Sequence, residues 1–138
     1  MARKPNTTIA LLSIRPQYAK SILTGDKKVE FRKVKFRNNI SYVVVYATNP
    51  IQQIICYFEV SYIDEDVPSN LWSKYNNVGG IRHDDFISYF QSSEKGTAIG
   101  VGKIKILKKP IPLSHLNKNL RAPQSFLYLS EKDFNKIS

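Results

Sequence analysis

With 138 residues, 42% of them hydrophobic, and 21 Lys and Arg against 11 Asp and Glu for a formal charge of +10, the chain has the length of one domain (1–138) and the composition of a folded protein. Its longest apolar stretch, Tyr42 to Ala47, is six residues where a membrane span needs about 20, and the apolar segment behind the charged start is broken at Ser13 and Arg15, so neither a transmembrane helix nor a signal peptide is expected. Cys56 has no second cysteine to pair with, and only His83 and His115 could join it on a metal, so the composition reads as a reduced, cytoplasmic protein without metal or cofactor.

Ile9 to Arg15 is a short apolar run ended by Pro16, a residue suited to the first turn of a helix. Tyr18, Ala19, Ile22 and Leu23 then fall on one helical face, and Gly25 supplies a left-handed stop. Val29 and Phe31 alternate with Lys28, Glu30 and Arg32, after which the apolar parity flips through Val34 and Phe36, predicting a strand bulged near Arg32. Ser41 to Thr48 and Ile51 to Ile63 read as two strands joined by an Asn49-Pro50 turn, the first buried on both faces. Pro68 to Gln91 predicts two short helices around a Gly79-Gly80 hinge. Thr97 to Leu107 returns to strand with a second parity flip at Gly102. Pro-rich turns from Pro110, a short strand from Phe126 to Leu129, and a last turn opened by Ser130 with Asp133 at capping-box spacing complete the chain. Two bent strands in a sheet of five or six suit a small closed or nearly closed barrel, so the expected fold is a mixed α+β domain on a curled sheet.

The charge is unevenly placed: residues 1–37 hold ten basic and two acidic residues, 38–102 three and seven, and 103–138 eight and two. If the two basic ends meet, they make one positive face suited to a polyanion, most often nucleic acid; a merely solubilising surface is the other reading. The densest constellation runs from Gly25 to Lys33, where Lys28, Glu30 and Arg32 share one strand face. Such a face either grips phosphate while Glu30 orients a donor, or is a solvated strand face of alternating charge. Ser13 and Arg15 lead to the same helix, and Thr48 closes the hydrophobic strand, so all can line one cleft.

These residues resemble the ASCH family, a branch of the PUA-like superfamily. Its Gly-x-Lys-x-x-Glu-x-Arg pattern after a short helix is matched by Gly25, Lys27, Glu30 and Arg32, and the segments Tyr46-Ala47-Thr48-x-Pro50 and Pro123-Gln124-Ser125-Phe126-x-Tyr128-Leu129 are similar to its longer members. The resemblance implies a PUA-like pseudo β-barrel and a cleft beside the first helix used for RNA or single nucleosides. Carried over, Lys27, Glu30 and Arg32 are its charged residues, with Ser13 and Arg15 beside them. Some members resemble amidohydrolases that deacetylate N4-acetylcytidine with a lysine, a threonine and a glutamate, and others are ribonucleases. Lys27 matches the lysine, but Glu30 stands where the threonine belongs, and Pro68 to His83 contains no acidic residue. Lys27 and Glu30 remain a possible acid and base pair of another kind.

Other candidates have plainer explanations. His83-Asp84-Asp85 suits a helix N-terminus, Ser125 a turn, and Cys56 the core, while Trp72, Tyr75, Tyr89 and Phe90 serve either as core or as stacking platforms for bases. The sequence therefore predicts a nucleic-acid-binding protein, for RNA rather than duplex DNA. Its expected contacts are Ser13, Arg15, Lys27, Glu30, Arg32 and Thr48, with Lys103 and Lys105 widening the positive track. The rivals are a hydrolase of a modified nucleoside or of RNA through Lys27 and Glu30, and a module for an acidic protein partner.

Overall fold

Residues 7–36 and 39–138 are described by the computed structural model, in which six strands form one curled, mixed sheet. In chain order the elements are β1 (Ile9–Ile14), α1 (Pro16–Thr24), β2 (Val29–Arg32), β3 (Tyr42–Ala47), β4 (Gln53–Asp66), α2 (Pro68–Tyr75), α3 (His83–Phe90), β5 (Gly96–Ile111), a 3-10 turn at Leu113–His115, β6 (Phe126–Leu129) and α4 (Glu131–Phe134). The strand order is β2-β5-β4-β3-β1-β6, with β1 and β3 parallel and the other neighbours antiparallel. β1 pairs with β6, Ile9 opposite Leu129, so the two ends of the chain share the sheet, although neither of these strands carries a basic residue; Arg3, Lys4 and Arg37 lie outside the described residues.

The unbroken apolar runs follow from burial on both sides of the sheet. Ala10, Leu12 and Ile14 of β1 with Val43 and Val45 of β3 meet Ala19 and Ile22 of α1 on one side. Ile9, Leu11 and Val44 meet Leu113, Leu116 and Phe134 on the other, under the C-terminal segment. Pro16 opens α1 and Gly25 closes it at φ 87°, as the sequence predicts. Ser130 caps α4 by accepting a hydrogen bond from the Asp133 N–H.

The two expected bulges fare differently. Near Gly102 the register shifts, since Phe58 faces Ile104 while Val60 faces Val101, so β5 carries an extra residue there. At Arg32 there is no bulge: β2 simply ends, and Lys33-Val34 is a bend, so the parity flip marks a strand end. β5 also outruns its expected limit at Leu107. Pro110 is tolerated because the register between Ile106 and Ile111 is irregular against Cys56 and Ile54, sparing its missing N–H a ladder role.

A third cluster joins β2 to the helical insert. Phe31 packs edge-on against Phe86 at 5.0 Å and Phe90 at 6.3 Å, with Leu71 and Ala98 buried beside them. This packing fixes α3 against the strand that carries the charged constellation.

Candidate nucleic-acid cleft

Lys27, Glu30 and Arg32 all sit on the short path from α1 into β2, and all three are buried, at 2%, 6% and 6% exposure. The solvated strand face is thereby excluded for Glu30 and Arg32; Lys28 alone of that trio is exposed. The buried charges survive because they are paired. Glu30 Oε2 accepts from Arg32 Nε at 3.0 Å and from Nη2 at 2.8 Å, while Glu30 Oε1 lies 3.5 Å from Lys27 Nζ. Lys27 Nζ also donates to the Gly79 carbonyl.

That last bond depends on two glycines. Gly80 has φ +60°, and a Cβ there would stand 2.7 Å from Lys27 Cβ; a Cβ on Gly79 would meet the Phe31 ring at 2.6 Å. The loop after α2 can therefore lie flat on Lys27 and bring its carbonyl to the ammonium. Burial lowers the proton affinity of Lys27, and this outweighs the opposing pull of the Glu30 carboxylate.

Arg32 does something the sequence does not announce. Besides Glu30, its Nη2 donates to the Ser13 carbonyl at 2.8 Å and its Nη1 to the Ser125 carbonyl and Oγ, both at 3.2 Å. With Glu30 these make five hydrogen bonds, as many as a guanidinium has N–H groups. β2 is one edge of the sheet and β6, which Ser125 precedes, is the other. Arg32 thus ties the two edges across the opening of the half-barrel. All five of its hydrogen bonds are made within the protein, as an internal clamp.

Above these ions lies a cleft of about 730 Å³, whose lining includes Ser13, Arg15, Lys27, Glu30, Arg32 and Thr48. Six of the eight residues expected at the site are brought together. Lys103 and Lys105 line no part of it. They lie on the half of β5 beyond the Thr97–Gly100 stretch that pairs with β2, with Lys105 opposite Tyr57 of β4.

The sequence offers Tyr89 as core or as a stacking platform, and gives no sign of several other lining residues. Tyr18 of α1 and Tyr89 of α3 are half-buried in the cleft, and Asp85 and Ser88 join them from α3, with Gln17 and Gln124 at the exposed margin. Tyr89 carries the Lys33 ammonium 4.9 Å from its ring centroid, and burial raises its hydroxyl's proton affinity. No acidic residue lies between 68 and 83, yet Asp85, assigned to helix-terminal electrostatics, lines the cleft two positions beyond. The signal available was its spacing from Tyr89, one turn along the same helix face.

The family model for the ASCH domain matches residues 12–136. The chain belongs to the ASCH family. It is 28% identical over 137 residues to an ASCH domain-containing ribonuclease of Zymomonas mobilis, covering 96% of this chain and 92% of that protein. A crystal structure of ASCH from Zymomonas mobilis superposes with a TM-score of 0.85 at 30% identity, covering 93% of this chain and 92% of the other. The N-terminal domain of Staphylothermus marinus McrB shares the fold, with a TM-score of 0.60 at 10% identity. The curled six-stranded sheet is the ASCH, PUA-like fold that the opening motif implies.

Proposed function

We propose that this ASCH protein binds single-stranded RNA in the cleft between α1, β2 and α3. The observation that carries the reading is the pairing of aromatic walls, Tyr18 and Tyr89, with two exposed cations at the mouth, Arg15 and Lys33. Aromatic faces stack unpaired bases whatever their identity, and exposed cations meet phosphate. Stacked bases inside a duplex offer no such face, which favours a single strand. Lys27, Glu30 and Arg32 form the floor: they are occupied by one another and by backbone carbonyls, so they shape the cleft and leave phosphate to the mouth.

Fluorescence anisotropy with a labelled single-stranded hexanucleotide tests this. Tyr18→Ala or Tyr89→Ala should each weaken binding by about 1–3 kcal/mol. With two phosphates neutralised, the log-log salt slope should be about −1.4; with Lys103 and Lys105 engaged as well it would approach −2.8. Binding that ignores both the tyrosines and salt overturns the reading.

The relative named as a ribonuclease favours a second reading, cleavage of the bound strand. Lys27, whose proton affinity is lowered by burial against the opposing pull of Glu30 at 3.5 Å, is a candidate for taking the proton from a 2′-hydroxyl as that oxygen attacks the adjacent phosphorus. The 5′-oxygen would leave with a proton returned to it, giving a cyclic phosphate and a 5′-hydroxyl. Cleavage by the pure protein that disappears in Lys27→Ala supports it; tight binding without product leaves the binding module.

A further inference from the structure

The cleft holds two carboxylates, Glu30 and Asp85, and they are not equivalent. Both oxygens of Glu30 are committed, one to Lys27 and one to Arg32. Asp85 is exposed at the rim and makes no ion pair or hydrogen bond among the described residues. It stands on a fixed support. Phe86 and Phe90 pin α3 to Phe31, so the face presenting Asp85, Ser88 and Tyr89, at i, i+3 and i+4, is held toward the cleft.

We propose that Asp85 makes the cleft selective for guanine, an assignment that rests on the single-stranded RNA reading above. A carboxylate presents two acceptors side by side and no donor. Guanine alone among the four RNA bases offers two adjacent donors on its Watson–Crick edge, N1–H and the 2-amino group. Adenine and cytosine each set an acceptor nitrogen beside their amino group, and uracil flanks its one N–H with two carbonyls. Against any of these, one Asp85 oxygen would face a lone pair. Tyr89, one turn along α3, and Tyr18 from α1 supply aromatic faces for the base whose edge Asp85 reads. A bidentate contact of this kind discriminates by about ten- to a hundredfold.

The test compares four single-stranded tetranucleotides, uridine throughout except for G, A, C or U at one central position, with 5′-GMP as a further arm. The wild type should bind the guanine-containing strand at least tenfold more tightly than the other three. A response to 5′-GMP as strong as to that strand would mean that a free nucleotide is the ligand, overturning the RNA reading while keeping guanine. Asp85→Asn should weaken the guanine strand and tighten the others, because the amide loses a matched acceptor and removes a charge repelling phosphate. That crossing of affinities cannot arise from misfolding. Equal wild-type affinities for all four strands, or a guanine preference surviving in Asp85→Asn, overturn the assignment and leave RNA binding intact. Failure to bind any strand overturns both.

Discussion

Replacing Arg32 with alanine tests whether the half-barrel is closed by a side chain. The substitution removes five hydrogen bonds and leaves the Glu30 carboxylate, 6% exposed, with Lys27 as its remaining ionic partner. Removing one member of a buried ion pair costs about 3–5 kcal/mol, chiefly through the charge left behind. An unfolding entropy of roughly 2.1 cal/mol/K per residue over this length makes 1 kcal/mol worth about 3.4 °C, so the melting temperature should fall by about 10–17 °C. Differential scanning calorimetry at pH 7 reads this directly. Arg32→Lys keeps a charge for Glu30 but cannot reach Ser13 and Ser125 as well, so its loss should fall between wild type and alanine. A loss below about 1 kcal/mol, roughly 3 °C, for Arg32→Ala would refute the clamp.

Gly80→Ala should destabilise by about 2–4 kcal/mol, combining a left-handed backbone with the 2.7 Å approach to Lys27 Cβ, whereas Gly25→Ala, with open space around it, should cost only about 1–2 kcal/mol; equal losses in urea unfolding would contradict the packing described. Because the proton affinity of Lys27 is lowered in the folded state, the unfolded chain binds more protons between that lowered value and 10.5, and stability should rise with pH through this window relative to Lys27→Met. Parallel stability curves for the two proteins from pH 7 to 10 would exclude it. Burial pushes the Cys56 thiol up from 9.0 to about 12, so at pH 8 its thiolate fraction, and its alkylation rate by iodoacetamide, should lie about 1,000-fold below those of an ordinary thiol. Rapid labelling of the native protein would place Cys56 outside the core.

The part of the site that sequence makes legible is the part built from local spacing. Pro16 and Gly25 punctuate α1, the apolar runs mark β1 and β3, and the motif from Gly25 to Arg32 locates the charged turn. What stays hidden is set by contacts between distant residues. Nothing local tells that Lys27 is buried and Lys28 exposed, because the deciding partner is the Gly79 carbonyl 52 residues away. The Arg32 bonds to Ser125 span 93 residues, so the guanidinium reads as a free cation until the sheet edges are seen together. The insert carries the same lesson. Aromatic spacing indicates that Phe86 and Phe90 pack, but not that Tyr89 and Asp85, on the adjoining face of the same helix, line the cleft.

Whether RNA occupies the cleft of α1, β2 and α3 is decided by titrating 15N-labelled protein with a short single-stranded RNA and following the amide chemical shifts. Occupancy of the cleft should give saturable shifts at Gln17, Tyr18, Ser88, Tyr89 and Ser125, residues that line it. Shifts confined to Lys103, Lys105 and their neighbours on the outer half of β5, with the cleft silent, would contradict it.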